Sequence, residues 1–467
     1  MQQSLSSSAN NPQYIPFATR ASYPVRAGNW LRPLIDSDAT FTRICEAVNA
    51  ASHSVWVTVA FLAGDFEMPG GYGSLFDVLD RAATRNIDVR VIFWRNNEGS
   101  GFADHTMFSG STAHREFLRQ RGSRFFARWD RAQKRYCQHQ KSWLIDAGHE
   151  GEIAFVGGIN LHGVPAPPGH AHDGESTHDV YVELRGPSAT DVHHNFVQRW
   201  NEASERLLAD GVWPDTGHHN DLAFPSRASA IVGDATVQVQ RSIRAGHYTD
   251  TTPSPGGGAF AIQDGETSIY EQYLLAIDAA RSTIYIEDQS IGSPEIVQKL
   301  DLACARGVEV IYLVPADAAA EMRVARKLPQ NKSFFDSLAA LGRHRNFTLA
   351  GIAAPGTNGL LRNVYVHAKI ALVDDGWSTI GSCNIAARSF FGDSELNVSF
   401  WAPVTVRGLR RELFMEHIGV DTGAMTDRSA LELYREIAFA NAGRRHEANA
   451  MEGLAFSLDP RSYPPDL

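Results

Sequence analysis

One pattern constrains this chain more than any other, because it occurs twice. His139, Lys141 and Asp146 in HQKSWLID repeat the spacing of His367, Lys369 and Asp374 in HAKIALVD, about half a chain away. Both read H-x-K-x-x-x-x-D. Each copy runs into a further apolar strand and then a small-residue corner. The first corner is GGIN, with Gly157, Gly158 and Asn160; the second is GSCN, with Gly381, Ser382 and Asn384. A lone H-x-K pair is most often a solvated strand face. Two copies with the same sequel require a duplicated unit that brings a histidine and a lysine to one place in each half. Burying either group costs free energy unless it is paired, so the strands that carry them must supply partners.

The rest of the chain supports duplication. At 467 residues and 43% hydrophobic content it exceeds one typical domain. Helical spacing over Phe41–Ala51, a strand at Val55–Phe61, a helix at Ser74–Arg85 and a strand at Asp88–Trp94 form one strand–helix rhythm. The rhythm returns at Ser268–Ala280, Ser282–Gln289, Ile296–Gly307 and Val308–Pro315. Pro-, Gly- and Ser-rich stretches between the halves place the boundary near residues 215–235. The expected organisation is an N-terminal tail (1–22), a lobe over 23–225 and a lobe over 226–467. The sequence after residue 426 reads as one helix and an exposed end.

On an alternating strand Tyr365, His367, Lys369 and Ala371 share one face, and Val366, Ala368, Ile370 and Leu372 the other. Such a pair of motifs suits phosphodiester chemistry. Two lysines (Lys141, Lys369) and two asparagines (Asn160, Asn384) can clamp the non-bridging oxygens. Gly158 and Ser382 at the corners let backbone N–H groups approach a phosphate. One neutral histidine can attack phosphorus, while the other gives a proton to the leaving alkoxide and then activates water or an alcohol. Each imidazole needs an acceptor on its other nitrogen. Asp179 in STHDVYVEL follows His139, and Glu395 in GDSELNVSF follows His367, so each is expected to serve the histidine of its own half. Asp146 and Asp374 stand in turns and are expected to fix backbone geometry.

These motifs resemble the phospholipase D superfamily. HQK…AFVGGINL, HDVYVELRGP and NFVQRW are similar to the first half of plant-type and eukaryotic-type phospholipases D; YIEDQ, VYVHAKIALVDD and GSCNIAARSFFGDSEL are similar to the second. The resemblance covers roughly residues 23–420. It implies an α/β fold of two similar α/β/α lobes related by a pseudo-two-fold axis, with one active site at their interface. It implies that His139 is the nucleophile, His367 the general acid and base, and Asp179 and Glu395 the carboxylates that hold them. The expected activity is hydrolysis of phospholipids to phosphatidic acid, with phosphatidyl transfer to alcohols. A phosphatidylserine or cardiolipin synthase, a nuclease of the same superfamily, and an inactive binding protein are the alternatives. Only about twenty residues precede the resemblance, so the calcium-binding lipid module of the plant enzymes is expected to be absent, and no cofactor or metal is expected. EDQSI departs from the usual Glu-Asn-Gln-aromatic, and GGIN carries Asn where plant-type enzymes often have Asp; both bear on substrate preference.

Composition narrows the partners. A net charge of −10 argues against general nucleic-acid binding. No apolar run is long enough to span a bilayer and no signal peptide is visible, so a cytoplasmic or peripheral membrane protein is expected, monomeric with an internal pseudo-dimer. The four scattered cysteines show no zinc spacing, and Cys137 and Cys383 read as small buried fillers. The Pro- and Gly-rich loop Leu161–His178 is either a lid or head-group contact, or an inert insertion; its irregularly spaced histidines do not read as a metal site. Trp143 and Tyr365 either line the cleft or pack in the core, and Arg388 supports the second corner.

Overall fold

The computed structural model describes residues 14–96, 107–162, 176–214, 220–356, 359–447 and 449–464. Among the described residues, eight strands of one half repeat eight of the other, and Glu266–Thr267 and Leu361–Asn363 add two short strands to the second. The first runs Arg26–Ile35, Val180–Arg185, Ile153–Gly157, Ser142–Ile145, Ser54–Val59, Asp88–Trp94, Phe126–Asp130, Val212–Trp213. The second runs Ala235–Ile243, Glu395–Trp401, Trp377–Gly381, Lys369–Val373, Thr283–Asp288, Glu309–Leu313, Phe347–Pro355, Ala455–Leu458. Corresponding neighbours pair in the same sense throughout, with only the fifth, sixth and seventh strands of each order parallel. The halves join where Arg26 and Asn29 pair with Val237 and Ala235, which makes the sheet continuous.

Local sequence explains the elements that cover this sheet. The Leu75–Thr84 helix starts at a capping box in which Ser74 and Asp77 satisfy each other's backbone N–H. Leu75, Val78, Leu79 and Ala82 form the apolar stripe that it buries. Helices Ala189–Glu202 and Pro403–Ile418 occupy equivalent places in the two halves. Their Phe196, Trp200, Leu413 and Phe414 fill a central core shared by both lobes. Each lobe has a second core of its own on the opposite side of its sheet.

Three features differ from the sequence reading. Residues 14–22 are not a free tail. Ile15 is fully buried in the C-terminal lobe's core, and the Trp401 indole N–H donates to its carbonyl (2.9 Å). The chain end is not simply exposed either. Ala455–Leu458 is the edge strand equivalent to Val212–Trp213, and Tyr463 is buried beyond it. Finally, the strand through His367 is not continuous. Regular pairing stops after Tyr365–Val366 and resumes at Lys369, so His367 sits in the break.

Candidate active site

The break explains how the site is assembled. On leaving its own sheet, each H-x-K segment pairs with the opposite lobe. Gln138 bridges to Ser394, and the His139 N–H donates to the Ser394 carbonyl (3.0 Å). Symmetrically, Tyr365–Val366 pairs in parallel with Thr177–His178, and the His367 N–H donates to the His178 carbonyl (2.8 Å). The residues that follow these carbonyls are Glu395 and Asp179. Each histidine is therefore set beside the carboxylate of the other half.

This corrects the expected pairing. His139 Nδ1 meets both oxygens of Glu395 at 3.0 Å and the Ser382 carbonyl at 3.1 Å. His367 Nδ1 meets Asp179 Oδ2 at 2.6 Å. The likeness of the two sequence halves suggested pairing within each half. The exchange of segments crosses it. All four groups are buried. Two Nδ1 atoms fixed in this way leave each Nε2 as the chemically available nitrogen.

Gly158 and Ser382 also act differently from expectation. Their backbone N–H groups do not await a phosphate. They donate to Val180 O (3.2 Å) and Leu396 O (3.1 Å). Gly158 instead makes room, since a Cβ there would lie 2.3 Å from Asp179 Oδ1. The Ser382 hydroxyl donates to Glu395 Oε2 (2.6 Å) and so steadies the carboxylate that holds His139.

Lys141 and Lys369 turn back onto the carbonyls of His139 and His367. Lys141 lies under the Phe61 ring (5.7 Å), while Lys369 approaches Gln289 Oε1 (3.4 Å). Asn160 and Asn384 form a matched pair, each with a buried Oδ1 that has no partner among the described residues. Asn160, Asp179, His162, Thr177, Tyr365 and His367 line a small pocket of ≈ 50 Å³. Tyr365 thus belongs to the cleft, whereas Trp143 is packed in the N-terminal core as well as lying beside Lys141.

Burial and mutual repulsion set the charges. Burial holds the His139 imidazole well below its usual pKa, and the Lys141 and Lys369 ammoniums lower it further. His367 is held down by burial and by the same two lysines. Burial also brings Lys141 down to about 8 and lowers Lys369. Burial pushes Asp179 and Glu395 up to about 7, against the pull of the lysines. Burial and the two lysines thus both disfavour the charged form of each imidazole, and a nearby anion would favour it.

Asp146 and Asp374 lie at the far ends of these strands, both at φ 52°. Asp146 accepts the N–H groups of Ser52, His53 and Ser54; Asp374 accepts those of Arg281, Ser282 and Thr283. Arg388 pairs with Asp393 (2.9 Å), which in turn accepts the Cys137 N–H (2.7 Å). Cys137 and Cys383 are buried thiols. Most of the Leu161–His178 loop, with His170 and His172, lies outside the described residues.

Two contributors escaped the sequence reading. Asp288, in the unusual EDQ, faces Lys369 across the sheet and accepts the Ile385 N–H (2.9 Å); burial pushes it up to about 7. His178 is fully buried among carboxylates. Its Nδ1 lies 3.0 Å from Asp36 and 3.1 Å from Glu416, and its Nε2 lies 2.8 Å from Glu287. Burial disfavours its charge, but Glu287, Asp36 and Glu416 outweigh burial and hold its pKa well above the usual value. His178, Glu416 and His417 offer donor atoms within 4.8 Å of one another. Since both His178 nitrogens already face carboxylates, a buried imidazolium accounts for the cluster. A histidine followed directly by Asp179 at a strand start was the available signal.

The fold and site define a class: a duplicated α/β protein with one composite His–Lys–Asn centre at its pseudo-two-fold axis. Comparison with known proteins agrees. Residues 169–336 match the family model described as phospholipase D, and residues 273–416 match that of the cardiolipin synthase, PLD-like domain. This chain belongs to the phospholipase D superfamily. It is 21% identical to phospholipase D alpha 2 of Oryza sativa subsp. japonica, over 91% of this chain and 68% of the relative. It is 26% identical to cardiolipin synthase A of Pseudomonas entomophila (strain L48), over 79% of this chain and 64% of the relative. It therefore spans about two thirds of these curated relatives (68% and 64%). A phosphatidylserine synthase from Haemophilus influenzae Rd KW20 shares the fold, with TM-score 0.52, 13% identity and coverage of 90% of this chain and 93% of that one. Among the described residues no helix is long and apolar enough to cross a membrane.

Proposed function

We propose that this protein is a phospholipase D-type phosphodiesterase. It cleaves a phospholipid to phosphatidic acid and free head group, and passes the phosphatidyl group to alcohols. The observation that carries this reading is the pair of buried histidines, each oriented by the opposite lobe's carboxylate.

In the proposed cycle, His139 Nε2 attacks phosphorus while its Nδ1–H donates to Glu395. The P–N bond forms as the bond to the head-group oxygen breaks. His367 gives its Nε2 proton to that oxygen, and its Nδ1–H stays on Asp179. Water or an alcohol then loses a proton to His367 and attacks phosphorus, breaking the P–N bond and freeing His139. Lys141, Lys369, Asn160 and Asn384 hold the non-bridging oxygens through both steps.

A phosphatidyltransferase is the second reading, favoured by the similarity to a cardiolipin synthase and by the fold shared with a phosphatidylserine synthase. It shares the first half-reaction and differs only in the acceptor. The test is incubation with phosphatidylcholine and ethanol in EDTA. Phosphatidic acid plus phosphatidylethanol supports the proposal. Turnover only when a second lipid or amino-alcohol acceptor is added supports the transferase. No lipid turnover alongside cleavage of single-stranded DNA refutes both.

A further inference from the structure

The surface beside the site mouth carries apolar side chains that the chemistry does not use. A hairpin of Phe347–Pro355 and Leu361–Asn363 rises just before Tyr365; the Val364 N–H closes its base on the Ile352 carbonyl (2.9 Å). Near its tip Leu360 is 67% exposed. The Ala320–Lys327 helix lies at the same end of the sheet, beyond strand Glu309–Leu313, and buries none of its residues fully. Its Val324 is 59% exposed. Two links place hairpin and helix together. Burial raises the Tyr365 phenol and the helix's Glu321 adds to that rise. Arg445 donates to Asn363 on the hairpin (2.7 Å) and feels Asp317 just ahead of the helix.

Charge selects the occupant. Residues 320–327 contain three Lys or Arg (Arg323, Arg326, Lys327) against one acidic residue, Glu321, in a chain of net charge −10. Arg362 adds an exposed cation on the hairpin. Apolar side chains set among cations, on an otherwise acidic protein, match an anionic lipid surface.

We propose that the Ala320–Lys327 helix and the hairpin tip at Leu360–Leu361 form a docking surface for an anionic phospholipid bilayer, which presents lipid to the site. This rests on the phospholipid reading above. The test measures vesicle co-sedimentation separately from turnover of a dispersed short-chain phosphatidylcholine. The full chain should bind phosphatidylcholine vesicles more tightly when phosphatidylglycerol is included, and less tightly as salt rises. V324D/L360D should bind at least about tenfold more weakly and yet turn over dispersed substrate within about twofold of the parent. Parent-like vesicle binding by the variant would overturn the docking surface. So would a variant whose only change is loss of self-association, since the patch would then face a second copy. Loss of dispersed-substrate turnover in the parent would instead refute the phospholipid reading and leave vesicle binding as a separate result.

Discussion

The crossed carboxylates make a prediction that same-half pairing cannot. Replacing Glu395 with Gln should alter the titration of His139, and replacing Asp179 with Asn should alter that of His367. The contact distances set the size. At 3.0 Å an imidazolium and a carboxylate attract by about 5 kcal/mol with an effective dielectric constant of about 20. The amide retains a hydrogen-bonding oxygen but loses the charge, so about 4 kcal/mol of stabilisation of the charged imidazole should go. The affected histidine's pKa should therefore fall further, and kcat should drop by about 10³-fold. The sign is definite: loss of an anion lowers the pKa of its partner, so the variant histidine takes up its proton at lower pH. The assay is ¹⁵N NMR of histidine-labelled protein bound to a phosphate analogue, with the two resonances assigned from His139→Asn and His367→Asn. A shift of the His367 signal in E395Q, with His139 unmoved, would refute the exchanged-segment geometry.

Four further outcomes follow. Gly158→Ala puts a Cβ where Asp179 Oδ1 stands, 2.3 Å away, so activity should fall at least about 100-fold with a small change in melting temperature; near-parent kinetics would contradict this. Asp146→Ala or Asp374→Ala each strips three backbone N–H groups of their acceptor and should cost about 2–4 kcal/mol in urea unfolding, with kcat per folded molecule preserved. His178→Ala leaves Asp36, Glu287 and Glu416 buried around a vacated cation, and should cost about 3–5 kcal/mol in the same assay; parent-like stability would contradict this. Asp288→Asn tests the raised carboxylates. Asp288 stands at about 7 in the folded protein, above its unfolded value, so its contribution is fully present below about pH 4 and is lost as pH rises through about 7. Relative to the parent, D288N should therefore gain about 2–3 kcal/mol of stability between pH 5 and pH 8, read from paired unfolding curves.

The duplicated motif made the two-lobed fold legible, and with it the meeting of two histidines and two lysines in one place. The pairing of His139 with Glu395 was not legible, because it depends on which lobe each strand break reaches. The same holds for Gly158, which reads as a phosphate-binding glycine and proves to be a space left for Asp179. The Ala455–Leu458 strand was hidden by its turn-rich flanks, and its partner lies about a hundred residues back at Leu349–Ile352. His178 looked like one of several loop histidines, whereas its carboxylate shell is gathered from Asp36, Glu287 and Glu416, far apart in the chain.

The central claim is that both halves act on one phosphate, with His139 taking it. The most direct measurement is acid-free quenching of the enzyme during turnover of phospholipid labelled at phosphorus, followed by peptide mapping. The account predicts a phosphohistidine at His139 that accumulates in His367→Asn and is absent from His139→Asn. A label on His367, or turnover with no phosphohistidine on either residue, would contradict it.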